Sequence, residues 1–123
     1  MTKPTILMVE NDIPTIDLYR GALSREYDVL VFNELPKILE VLSPSEIQAI
    51  IIEPAINAGE GWNILSTIIT TLQNKKVPII VCSTLDERKR GLKMGAAAFL
   101  VKPVLPGTLL ETINQFQQSE STG

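Results

Sequence analysis

Glu10, Asn11 and Asp12 follow directly on the apolar run Thr5 to Val9, and Glu53 follows the run Ala49 to Ile52. Ser83 ends the stretch that begins at Pro78, and Lys102-Pro103 follow Phe99 to Val101. If each run is a strand of one open parallel sheet, these polar residues meet in the crevice outside the strands' carboxyl ends, where such sheets bind ligands and do chemistry. Carboxylates, a hydroxyl and a lysine gathered there could hold a cation weakly, steady an anion, or pair a nucleophile with a base. The chain has no histidine. That removes His-based triads, most zinc sites and any phosphohistidine relay role for the chain itself.

The elements that must position these residues are readable as apolar runs alternating with segments of helical period. The runs are Thr5 to Val9, Asp28 to Phe32, Ala49 to Ile52, Pro78 to Cys82 and Ala98 to Val101. They are continuously apolar rather than alternating, as a parallel sheet covered by helices on both faces demands. Ile13, Ile16, Leu18, Tyr19 and Leu23 form the first helical stripe, with Asp12 as N-cap before Pro14. Leu35, Ile38, Leu39 and Leu42 form the second, stopped at Ser43-Pro44. Trp62, Leu65, Ile68, Ile69 and Leu72 mark the third, and a short fourth runs from Asp86 to Met94 with Gly95 as its C-cap. Pro106 to Phe116 is the fifth, with Leu109, Leu110, Ile113 and Phe116 facing inward. Turn chemistry fills Asn57 to Gly61, and the stretch from Gln117 to Gly123 is polar enough to fray or to begin a linker. The reading is an α/β doubly wound sheet of (βα)5 type, with one domain over residues 1–118 and a polar tail over 119–123.

With 123 residues, 45% of them hydrophobic, the chain can bury one core and has little material for a second. A net charge of -3 and a pI near 4.9 argue against non-specific nucleic-acid binding. Lys75-Lys76 and Arg88-Lys89-Arg90, the only basic runs, read as solvated helix ends. Met1 to Pro4 carry no charged-then-apolar leader, and no apolar run approaches the roughly 18 residues of a membrane span. A cytoplasmic location without membrane contact is therefore expected. The single cysteine, Cys82, excludes an internal disulfide and reads as a small buried hydrophobe rather than a reactive thiol.

The acidic turn Glu10-Asn11-Asp12, the carboxylate of Glu53, the pair Glu60-Gly61, the hydroxyl of Ser83, Gly95-Ala96, and Phe99 three residues before Lys102-Pro103 occur in an order that resembles the receiver domain of bacterial response regulators. The likeness spans Thr5 to about Gln117. It implies a flavodoxin-like fold with strand order 2-1-3-4-5 and a place in two-component, or phosphorelay, signal transduction. In that family an aspartate at the position of Glu53 takes a phosphoryl group, usually from a sensor kinase, while Mg2+ is held by that aspartate and the acidic turn. Lys102 would contact the phosphoryl oxygens, and Ser83 and Phe99 would be the switch hydroxyl and the switch aromatic.

Two departures bear on that activity. Glu53 places its carboxylate one methylene farther out, about 1.5 Å by bond geometry, and Mg2+ tolerates displaced ligands poorly. Asn11 stands where the family usually has a metal-binding aspartate, so an amide replaces a charge. No cofactor is therefore expected, with at most a weak Mg2+ site at Glu10, Asn11 and Glu53. Glu53 has two readings: a longer acid that contacts Lys102 or Ser83 permanently and mimics the on state, or an ion pair with Lys102 that fixes local structure. Ten residues separate Thr84 from Gly95, about three fewer than the family usually has and close to one helical turn. In the family the face made by the fourth helix, fifth strand and fifth helix docks partners or dimerises, and the shortening changes that face. The favoured function is a non-enzymatic interaction module, a pseudo-receiver that binds a sensor kinase, another receiver or an effector. The alternatives are a working phosphoacceptor using Glu53 or Asp12 with Mg2+, and a small hydrolase or phosphatase with Ser83 and Lys102 as nucleophile and base.

Overall fold

The computed structural model describes residues 3–42, 46–73 and 75–122, with side chains through Gln117. The expected stop at Ser43-Pro44 lies outside the described residues, as do Met1, Thr2 and Gly123. Each apolar run becomes a strand: β1 Thr5–Val9, β2 Asp28–Phe32, β3 Ile47–Ile52, β4 Ile79–Ser83 and β5 Ala98–Val101. All pairings are parallel and the order is β2-β1-β3-β4-β5, the doubly wound arrangement expected. The helices are α1 Ile13–Leu23, α2 Leu35–Leu42, α3 Gly61–Thr71, α4 Arg88–Met94 and α5 Pro106–Thr122. Among the described residues no helix is long and apolar enough to cross a membrane.

Alternate residues of each strand feed opposite core layers. Leu7, Val9, Ile50, Ile52, Val81 and Phe99 pack with Ile38 and Leu42 of α2 and Ile64, Leu65 and Ile68 of α3. On the other face Ile6, Met8, Ile51, Ile80 and Cys82 meet Ile16, Tyr19 and Leu23 of α1 and Leu109 and Ile113 of α5. The central strands are thus buried on both sides, which is why their runs do not alternate.

Three details of the helices differ from the sequence reading. Ile13 and Leu18 are exposed, at 65% and 55%. Leu18 lies two residues, about 200° of rotation, from Ile16, so the stripe Ile16, Tyr19, Leu23 turns it to solvent; Ile13 is the helix's first residue and is left uncovered. α4 begins at Arg88, not Asp86, because Asp86 and Glu87 form the loop that enters it. α5 continues beyond Phe116 to Thr122, since no Gly or Pro stands between Phe116 and Gly123 to interrupt it. Gly95 caps α4 with φ at 120°, its N–H reaching Gly91 O and Leu92 O.

Candidate functional site

The ladder of the sheet extends past the strand ends and brings the polar residues side by side. Glu53 N–H donates to Val9 O at 3.0 Å, and Lys102 N–H donates to Ser83 O at 2.8 Å. Glu53 is thereby held beside the acidic turn and Lys102 beside the end of β4. The Lys102–Pro103 peptide is cis.

Glu10 and Glu53 are each 5% exposed, and the Lys102 ammonium stands between them. Its Nζ is 2.8 Å from Glu10 Oε2 and 3.3 Å from Glu53 Oε1. Backbone N–H groups bond both carboxylates as well. Asn11 and Asp12 donate to Glu10 Oε1 at 3.1 and 3.3 Å, Thr84 donates to Glu53 Oε1 at 3.1 Å, and Ala55 donates to Glu53 Oε2 at 3.1 Å. Burial works against the charge of Lys102, but the hydrogen bond and attraction of Glu10, joined by those of Glu53, hold the ammonium above its ordinary range.

The Asp12 side chain does not bond into this network. It caps α1, accepting from Thr15 N–H at 3.1 Å and from the Thr15 hydroxyl, and these bonds hold its carboxyl below the usual range. Asn11 turns outward as well, its Nδ2 donating to Asn57 Oδ1 at 3.2 Å. Asn57 Nδ2 in turn donates to Asn33 O at 3.0 Å, so a polar clasp links the loops that follow β1, β3 and β2. It depends on a left-handed turn: Asn57 and Ala58 have φ of 51° and 59°, and Gly59 has 93°. Asparagine adopts that region more readily than most side chains. Gly61 follows, where a Cβ would stand 2.5 Å from Pro54 Cα; only glycine lets α3 start this close to the end of β3.

Ser83 is buried, yet its Oγ accepts from Leu85 N–H at 3.2 Å and neither Glu53 nor Lys102 bonds to it. Phe99 is also buried, its ring beneath Gly91 of α4. Cys82 lies in the core, where burial pushes its thiol up. The sequence reading thus found Glu10, Glu53 and Lys102 as one cluster. It missed the amides of Ala55 and Thr84, which side-chain types cannot reveal, and the clasp role of Asn57, whose only signal was the turn composition Asn57-Ala58-Gly59.

The groups to which the family likeness assigns Mg2+ are engaged with the protein's own donors. All four oxygens of Glu10 and Glu53 already accept hydrogen bonds, a cationic ammonium occupies the space between them, and the Asn11 side chain is drawn to Asn57. Among the described residues no cluster of three or more acidic, cysteine or histidine side chains is placed to hold a metal.

Comparison with known proteins converges on one family. Residues 6–114 match the model of the response regulator receiver domain. The transcriptional regulatory protein HprR of Escherichia coli (strain K12) is 34% identical over 109 residues, covering 88% of this chain and 49% of HprR. This chain therefore spans about half the length of that relative. The two-component response regulator ORR3 of Oryza sativa subsp. indica is 26% identical over 118 residues, covering 92% of this chain and 90% of ORR3. Chemotaxis response regulator CheY4 of Vibrio cholerae superposes with a TM-score of 0.80 at 24% identity, over 94% of this chain and 99% of CheY4. A CheY-like receiver domain protein of Methanospirillum hungatei JF-1 gives 0.83 at 22% identity, over 99% and 100%. These two structural matches show a shared fold.

Proposed function

The chain belongs to the response regulator receiver domain family of two-component signalling, and from that premise we propose that it acts by phosphorylation-independent contact with protein partners rather than as a phosphoacceptor. One observation carries the reading: the Lys102 ammonium is bonded to both Glu10 and Glu53, and every oxygen of the two carboxylates accepts a hydrogen bond from the protein's own groups. An attacking carboxylate needs a free oxygen in line with the phosphorus and cations on the departing charge. The Glu53 carboxylate is instead oriented by Lys102 and the Thr84 and Ala55 amides, and the lysine that would neutralise the phosphoryl group is shared between two carboxylates. Asp12 is no better placed, because it caps α1.

Of the two readings of Glu53, the ion pair that fixes local structure is favoured over on-state mimicry. Ser83 Oγ is turned to Leu85 N–H and not to the Glu53 carboxylate, so the hydroxyl of β4 is not drawn toward the acid. A hydrolase with Ser83 and Lys102 as a pair is disfavoured on the same geometry, since the ammonium is raised in pKa and held by carboxylates. The partner is a sensor kinase, another receiver or an effector, met through the α4, β5 and α5 face, which also is the surface for a homodimer. The proposed setting is cytoplasmic, without nucleic-acid or membrane contact by this domain.

Acetyl phosphate with Mg2+, followed by intact-mass measurement, tests the reading. The wild type should gain no phosphoryl mass. A gain in Glu53→Asp alone would assign the silence to residue 53, and a labile adduct on the wild type would overturn the proposal.

A further inference from the structure

α4 has only seven residues and a single buried one, Gly91. A helix that short has no stability of its own, and Leu92 spends its apolar surface on solvent at 46% exposure. Its position must be imposed from outside. Two contacts do so from different directions. The Arg90 guanidinium carbon lies 4.0 Å from the centroid of the Trp62 ring in the first turn of α3, and Glu87 Oε1 accepts from Arg90 Nη1 at 3.4 Å and orients it. Beneath the helix the Phe99 ring fills the space a side chain would need at position 91: a Cβ there would stand 2.7 Å from Phe99 Cδ2 and 3.0 Å from Cε2.

We propose that Trp62, Arg90 and Gly91 are positioning residues that clamp α4 between α3 and β5, so that its outer face is presented in one orientation with nothing bound in the crevice. That face carries Lys89, Leu92 and Lys93, all exposed, and Leu85 is exposed in the loop that precedes the helix. Assigning it to partners rests on the function proposed above; the clamp itself rests on the two contacts. Gly91 matters by what it lacks, since any side chain would evict the Phe99 ring or lift the helix. Arg90 supplies the lateral hold, by charge over the tryptophan face and by the stacking of a planar group.

The test reads α4 directly, by amide hydrogen exchange over residues 88–95 and by the emission of Trp62, the only tryptophan in the chain. Arg90→Met should speed exchange there about two- to fivefold, the factor expected from losing an exposed cation–π contact, and shift the Trp62 emission, while Arg90→Lys keeps part of the protection. Gly91→Ala should loosen the same amides, and adding Phe99→Leu to that chain should restore them by making room for the new methyl. Unchanged exchange and emission in Arg90→Met, or a Gly91→Ala effect that Phe99→Leu does not relieve, would overturn the clamp. Phosphoryl uptake by the wild type would overturn the preceding reading and leave these readouts as they are, so the two failures are separable.

Discussion

Replacing Lys102 by methionine removes the cation that lies between two buried carboxylates while keeping the length of the aliphatic stem. At an effective dielectric of about 20, unit charges at the observed 2.8 and 3.3 Å attract by roughly 6 and 5 kcal/mol. Desolvation of the three ions, several kcal/mol each, consumes most of that. The net worth of the network is therefore small, but the cost of breaking it is not, because Lys102→Met leaves two like charges facing each other at 5% exposure. Removing one partner of a buried pair costs about 3–5 kcal/mol. Here the N–H groups of Asn11, Asp12, Ala55 and Thr84 still bond the carboxylates, which puts the expected loss at the low end, about 3 kcal/mol.

Urea unfolding at pH 7 measures it, provided different probes give one transition. The companion chain is Lys102→Met with Glu53→Gln, which keeps an acceptor for Thr84 N–H and leaves one buried charge. It should recover part of the loss, so that the two substitutions together cost less than the sum of each alone. A loss below about 1 kcal/mol for Lys102→Met, the scale of an exposed pair, would refute the reasoning. Strict additivity of the two substitutions would refute it as well, since the carboxylates would then not share the lysine.

Two further outcomes follow from the same coordinates. Lys102 is raised above its ordinary 10.5, so its contribution is fully present below pH 10.5 and is lost as pH rises through the higher folded value. The urea midpoint should hold from neutral pH up to that region and fall beyond it. Tyr19 and Tyr27, pushed up by burial, add loss in the same alkaline direction, so the diagnostic is a shallower fall in Lys102→Met than in the wild type. Gly61→Ala places a methyl 2.5 Å from Pro54 Cα and O, where backbone must move, at a cost of about 1–3 kcal/mol or more. Gly21→Ala in α1 meets nothing within 4 Å and should gain about 0.5–1 kcal/mol; equal midpoints for these two chains would contradict the packing described.

The strands and the cluster at their ends could be read from the sequence because both follow from one rule. A run apolar on both faces must be buried on both faces, and the polar residue that stops it marks the crevice. Ile13 and Leu18 could not be read as correctly, because helical period gives relative direction and not which residues a neighbouring layer covers. The clasp from Asn11 through Asn57 to Asn33 needs a left-handed turn to bring distant asparagines together, and turn composition names the turn without its partners. Gly91 was invisible for a different reason: its role is the volume of Phe99, eight residues later and in another element.

The substitution of a longer acid for a shorter one has an electrostatic consequence beyond its extra methylene. In this crevice two buried carboxylates must be balanced by something cationic, and the two candidates are a dehydrated metal ion or a side-chain ammonium. Glu53 reaches Lys102 and still takes the Thr84 and Ala55 amides, so its charge has one cation and two donors of the protein beside it. Bringing Mg2+ in would require displacing an ammonium from bonds of 2.8 and 3.3 Å and competing with the backbone donors on the same oxygens. The Glu53→Asp chain shortens the acid and should weaken its hold on Lys102, which makes it, rather than a stronger phosphodonor, the test of whether the site reopens.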